Sequence, residues 1–169
     1  MASLRPGKID RKVSGPAYTR KEYVRSVPQC KIVHFDMGLK NHDFKYAVHL
    51  LVDDDVQLRH NCLEAARIVI NRHLEKRVGR NMYYLKVRTF PHQILRMNAM
   101  ATGNKADRYG NGMRLSFGKT VGLAARCKRG QKLMSAYVNK TQINKAKQGL
   151  KKAGYKLPTK TRIVIEELA

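Results

Sequence analysis

Acidic residues are scarce in this chain of 169, with 12 Asp and Glu against 35 Lys and Arg and a net charge of +23. Outside Asp53-Asp54-Asp55 and Glu166-Glu167 the acids stand singly, so no paired carboxylates are offered for general acid–base catalysis. Cysteine is equally sparse. Cys30, Cys62 and Cys127 lie far apart and form no CxxC pair, so neither a disulfide framework nor a zinc ribbon is expected. The expectation is a reduced, intracellular chain without metal or other cofactor. No stretch approaches the roughly 18 consecutive apolar residues of a membrane span. The first twelve residues, MASLRPGKIDRK, lack the apolar centre of a secretory signal.

Nucleotide motifs fail on spacing. Gly118-Lys119-Thr120 has the ending of a phosphate-binding loop, but Met113 stands where its first glycine belongs. Gly110-Asn111-Gly112 begins a dinucleotide fingerprint, and Leu115 occupies the place of its third glycine. His60 and His73 are not at a metal-ligand spacing, and His92 has no sequence neighbour to act with. Nothing recommends an enzyme.

With 43% hydrophobic residues the chain is not disordered by composition. Its length suits one domain that buries roughly 70% of the unfolded surface. Solubility alone asks for a charge magnitude of about 2–8 in a small domain. The excess implies an anionic partner, nucleic acid first and an acidic membrane second.

The cations concentrate between Arg96 and Lys132, where nine Lys or Arg face one acid, Asp107. Glycines 103, 110, 112, 118 and 122 are interleaved with them, and glycine lets a backbone approach another surface closely. Side-chain cations together with exposed N–H groups suit phosphates. A solvated basic loop is the bland reading, but one that nearly excludes acids is unusual. Residues 1–30 form a second basic stretch, broken by Pro and Gly, with Arg5, Lys8, Arg11 and Lys12 near its start. Tyr18 and Tyr23 sit among Arg20, Lys21 and Arg25, placing rings beside cations where unpaired bases could stack. The arm either binds RNA or is a tail that orders only on a partner.

Residues 31–169 are expected to form a single α+β domain. The spacing predicts strands at 31–35, 44–52, 82–88, 92–96, 120–128, 132–138 and 162–167, with the 120–128 and 132–138 strands joined as a hairpin through Arg129-Gly130-Gln131. Helices are predicted over 56–78, with Leu63, Ala66, Ile70, Leu74 and Val78 as its apolar stripe, and over 141–153. Asp55 is expected to cap the first helix, and Asp53, Asp54 and Asp55 together to complement its dipole rather than bind magnesium. A long loop spans 97–113. Two strand–helix–strand units, 44–88 and 132–167, flank the basic segment, which suggests two helices packed on a mixed or antiparallel sheet.

Ala106-Asp107-Arg108, Gly112-Met113-Arg114, Ser116-Phe117-Gly118-Lys119 and Gly122 together resemble the signature of the archaeal and eukaryotic ribosomal protein family L10e, related to bacterial L16. Pro16-Ala17-Tyr18-Thr19-Arg20-Lys21 is similar to that family's N-terminal arm. The resemblance implies an α/β-hammerhead-type two-layer sandwich and a structural place in the large subunit of the cytoplasmic ribosome. It implies binding to large-subunit rRNA near the aminoacyl-tRNA site and peptidyl transferase centre. Lys105, Asp107, Arg108, Tyr109, Gly110, Asn111 and Gly112 would form a tRNA-facing loop. Arg114, Lys119, Arg126, Lys128 and Arg129 would join the arm in binding rRNA. Neighbouring ribosomal proteins are implied partners; no membrane and no homo-oligomer are expected. Thr120 stands where many relatives have Pro. The alternative is a free RNA-binding assembly factor or chaperone.

Overall fold

Leu63, Ala66, Ile70 and Leu74 recur at spacings of three and four, and each is fully buried along one side of a helix, α1 (His60–Arg77). Burying a Leu or Ile completely is worth about 1.5–3 kcal/mol, so this stripe anchors the helix to the sheet beneath it. Ala146, Leu150 and Ala153 do the same for α2 (Ile143–Gly154). A Cβ at Gly149 would lie 3.0 Å from His73 Cδ2, so a glycine lets the two helices pack side by side. The computed structural model describes residues 9–10, 13, 15–17, 19–40, 43–100, 103–104, 108, 110 and 112–168.

The strands are β1 (Asp36–Gly38), β2 (Tyr46–Val52), β3 (Val56–Arg59), β4 (Tyr84–Val87), β5 (Gln93–Met97), β6 (Lys119–Cys127), β7 (Lys132–Val138) and β8 (Thr161–Glu167). They form a five-stranded sheet in the order β1-β4-β7-β2-β8 and a three-stranded sheet in the order β3-β6-β5, with every pair antiparallel. Since β2 and β4 both run against β7, they are parallel to each other, joined through α1 with β7 between them. Likewise β7 and β8 are joined through α2 with β2 between them. The two strand–helix–strand units therefore interleave, as in a ferredoxin-like split β-α-β fold. The small sheet is built from insertions into that frame: β3 between β2 and α1, and β5 and β6 between β4 and β7.

Four expectations need correction. Residues 31–35 form no strand, because side chains of α1 take up two of their N–H groups: Lys31 N–H donates to His60 Nδ1 at 3.3 Å and Val33 N–H to Glu64 Oε2 at 3.4 Å, and only the Phe35 carbonyl reaches β4, at Val87. The first helix starts at His60, not at 56, since Val56 and Leu58 alternate inward and pair with β6. Asp53–Asp55 consequently do not cap it. Asp55 Oδ1 accepts the Arg129 N–H at 2.7 Å, and Asp53 meets Arg162 at 3.5 Å. Finally, β6 and β7 form no hairpin. Lys128–Gln131 carry the chain from one sheet to the other, and Gly130 N–H donates to the Val52 carbonyl where β2 makes the same crossing.

In β2 the helix-facing Val48, Leu50 and Val52 are buried, yet so are Ala47, His49 and Leu51 on the other face. Polar side chains cover that second face. His49 lies 2.7 Å from Ser135 Oγ and 3.1 Å from Glu166 Oε2, Lys132 Nζ donates to both Glu166 oxygens, and Arg88 Nε donates to Ser135 at 2.6 Å. Cys30, Cys62 and Cys127 are free thiols, and burial pushes that of Cys127 up to about 12.

Burial holds the imidazoles of His49, His60 and His73 below their ordinary value, reinforced by Lys132, Lys31 and Lys152 respectively. Glu166 opposes the shift at His49. In the unfolded chain these groups protonate near pH ~6.5. Stability is therefore complete above that pH and declines as pH falls toward the lower folded values. The melting temperature of the isolated chain should drop between about pH 7 and pH 5, and His49→Gln should flatten part of the drop. A constant melting temperature across that window would refute this account.

Candidate nucleic-acid interface

The described part of the N-terminal arm lies on the three-stranded sheet. Asp10 accepts the Arg59 N–H at 3.1 Å and its Nε–H at 2.8 Å, just before α1 begins. The Asp10 carboxylate is almost wholly buried; burial raises its pKa, against the lowering pull of Arg59. Val13 N–H donates to the Asp55 carbonyl, and Gln57 Nε2 to the Ile9 carbonyl, both at 3.2 Å. Arg126 on β6 donates to the Gly15 carbonyl, and the Thr19 hydroxyl to Gln93 Oε1 on β5. The arm thus touches each strand of the small sheet in turn.

It ends against the root of the long loop. A short 3-10 turn, Lys21–Tyr23, presents Tyr23 edge-on to Phe117, with ring centroids 6.0 Å apart. The Arg96 guanidinium lies over the same Phe117 ring, 4.0 Å from its centroid. Such a pairing of cation and ring face is attractive by about 0.5–1 kcal/mol at an exposed site. The two limbs of the loop then close on each other. A Cβ at Gly118 would sit 2.5 Å from the Met97 carbonyl carbon, and one at Gly110 would sit 2.4 Å from the Ala99 carbonyl oxygen. Asn98 Nδ2 donates to the Gly112 carbonyl at 3.2 Å. Beyond this seam Met100, Met113 and Leu115 are exposed, and Leu115 is held at φ 52°.

The fold gathers five of the sequence-predicted cations into two groups. Arg20 and Lys21 are exposed beside the loop root. Lys128 and Arg129 are exposed at the crossing between the sheets, next to the half-buried Arg126. Arg25, Arg114, Lys119 and Arg108 are exposed as well, and Gly110 and Gly112 lie at the loop seam. Arg5, Lys8, Arg11, Lys12 and Tyr18 of the arm, and Lys105, Asp107, Tyr109 and Asn111 of the loop, lie outside the described residues.

Sequence reasoning missed the docking residues Asp10, Gln57, Arg59 and Gln93, and took Arg96 only as one more cation and Thr19 only as part of the family-like stretch of the arm. Asp10 gave a signal, as an acid set between cations. Gln57, Arg59 and Gln93 gave none, because their partners lie far away in the chain. Ser135, His49 and Glu166 stand in the chemical order of a hydrolytic triad, but Ser135 is wholly buried and offers no access to a substrate. A cleft of about 360 Å³ between α1 and β1 is lined by Asp36, Glu75, Arg67 and Arg80. Arg67 is spent there on Glu64 and the Met37 sulfur. No group of three or more potential metal ligands occurs among the described residues.

Residues 13–164 match the family model described as Ribosomal protein L16p/L10e. A relative in Methanococcus aeolicus, named large ribosomal subunit protein uL16, is 50% identical over 163 residues, covering 96% of this chain and 94% of its own. Another of the same name in Methanoculleus marisnigri is 52% identical over 162 residues, covering 96% and 95%. A third, in Methanospirillum hungatei, is 49% identical over 162 residues with the same coverage.

The close seam at the loop root makes a direct prediction. Gly118→Ala forces its methyl group into the Met97 backbone, which cannot rotate away, and overpacking of this kind costs about 1–3 kcal/mol. The urea midpoint should fall accordingly, and protease cleavage within 97–113 should accelerate. An unchanged midpoint would show that the two limbs do not close as described.

Proposed function

Because the chain belongs to the ribosomal protein L16p/L10e family and is a structural constituent of the large ribosomal subunit, we propose that its arm and small sheet seat it on rRNA while its loop helps to position tRNA. Family membership makes it a component of the cytoplasmic ribosome and not an enzyme, with rRNA and other ribosomal proteins as partners. The finer reading puts the seat near the aminoacyl-tRNA site and the peptidyl transferase centre.

The observation that carries it is the docking of the arm. Tyr23, Phe117 and Arg96 hold the arm to the loop root, while Asp10, Gly15 and Thr19 hold it to the small sheet. Arg20 and Lys21 are thereby held at the same small sheet whose strand β6 begins at Lys119 and leads into Lys128 and Arg129. Cations fixed before binding give up less freedom on meeting phosphate than those on a loose tail. The hammerhead description belongs to the same proposal and is supported by the small sheet, inserted as a separate unit into the larger fold.

Lys128→Gln with Arg129→Gln should weaken RNA binding. It should also flatten the dependence of log K on log salt by about 0.7–0.9 for each phosphate that is no longer neutralised. An unchanged slope would remove both residues from the interface. Deleting 105–112 should leave folding and entry into the subunit intact and impair tRNA accommodation. Failure to enter the subunit would make the loop an assembly element instead. Retention at one copy per subunit through a high-salt wash is expected, whereas release would favour a free RNA-binding factor.

A further inference from the structure

Between Asp107 and Glu166 the chain contains no acidic residue, and the helix inside that stretch, α2, bears Lys145, Lys147, Lys151 and Lys152, all exposed. Among the described residues none of the four lies within ion-pairing distance of a carboxylate. Lys152 Nζ instead meets the neutral side of His73, 3.2 Å from Nδ1. Lys140, Lys156 and Lys160 continue the lysines at both ends of the helix and are exposed too.

Lys151 and Lys152 in the last turn suit the negative end of the helix dipole, but the rest of this arrangement is unfavourable for the free helix. Lys147 and Lys151 are an i,i+4 like-charge pair. Lys145 lies in the first turn, at the positive end of the helix dipole, where no acid and no capping side chain offsets it. A face selected only for exposure to water carries both signs interspersed, and α1 does include Glu64 and Glu75. An external anion removes all these repulsions together.

We propose that the solvent face of α2 is a second RNA-binding surface, which takes the phosphate backbone of an RNA helix through Lys145, Lys147, Lys151 and Lys152. It rests on the reading of the chain as an rRNA-binding protein and adds a second, separate surface. The helix packs on α1, β2, β7 and β8, whereas the arm lies on β3, β5 and β6, so the two surfaces belong to different parts of the fold. The protein bridges two RNA segments rather than lying on one.

Lysine fits this partner. It meets phosphate as a point charge and lacks the planar fork that arginine uses to read a base edge. Lys145 and Lys152 are seven residues apart, which spreads the charge over about 10 Å of helix axis. A membrane does not fit, because the apolar side of α2 is buried on the sheet and no apolar face remains to enter a bilayer.

The test uses the full chain and a short blunt RNA duplex, labelled in separate batches with a fluorescence donor and an acceptor. At low salt the unaltered protein should bridge two duplexes and give energy transfer. The quadruple variant Lys145→Gln, Lys147→Gln, Lys151→Gln, Lys152→Gln should still bind one duplex but abolish the transfer. Its salt slope should fall by about 0.7–0.9 per lysine that had met a phosphate. The melting temperature of the free variant at low salt should rise, and the four Lys→Arg replacements should restore bridging. Unchanged transfer and slope would overturn the proposal. So would a quadruple variant that binds and bridges RNA normally yet is not retained in large subunits, which would assign the face to an acidic protein. If Lys128→Gln with Arg129→Gln leaves the slope intact while the α2 variant lowers it, the arm-side reading fails and this one stands.

Discussion

The structure depends on how few carboxylates it has and where each is spent. Asp10 holds Arg59 and the N-terminal arm, Glu64 holds Arg67, Glu166 holds Lys132 and His49, and Asp53 meets Arg162. Asp36 and Glu167 accept from Tyr84 and Tyr46, and Asp55 accepts a backbone N–H. These acids fasten one element to another and so neutralise few of the surface cations. The uncompensated charge that remains is the binding property of the molecule.

The crossing between the two sheets shows the same economy. Both β2 to β3 and β6 to β7 leave the large sheet for the small one, or return, at neighbouring points. Asp55 joins three segments there: its carboxylate takes the Arg129 N–H, its carbonyl takes the Val13 N–H, and its residue leads into β3. Asp53 reaches Arg162 on the edge strand β8. A run of three acids that could pass for a metal cage, or for a helix cap, is in place the pin of a corner. The arm is then ordered by the folded chain itself at the positions described. On the proposed reading, Arg20 and Lys21 meet an RNA partner with much of the conformational cost already met during folding.

The elements with strong local patterns were legible. The stripe of α1, the faces of α2 and the span 132–138 of β7 follow from spacing alone, as does the recurrence of two strand–helix–strand units. Pairing was not legible, because which strands become neighbours is decided by interactions remote in sequence. Val56 to Arg59 contains two apolar residues at a spacing open to helix or strand, and its pairing with β6 decides the matter. Residues 120–138 have the length and turn of a hairpin, but Val52 claims the hydrogen bonds of that turn. Charge singled out the arm and the basic segment as candidate contacts. It could not show that Tyr23 packs on Phe117 beneath Arg96, since nothing local relates residues so far apart.

Two basic surfaces on different parts of one fold explain why this much structure is needed to display cations. A lone basic helix or tail could neutralise phosphates, but it could not hold two RNA segments at a fixed separation. Both surfaces are built on the five-stranded sheet, since α2 packs on β2, β7 and β8 and the inserted small sheet is reached from β2, β4 and β7. Mutual repulsion between the surfaces is a cost in the free protein, offset by a core of fully buried Leu, Ile and Val. Once RNA occupies both, the repulsion disappears and the same core acts as a spacer between two polyanions. On the two proposed surfaces, a net charge of +23 on a folded frame serves as a rigid bridge, with rigidity from the apolar residues and affinity from the uncompensated cations.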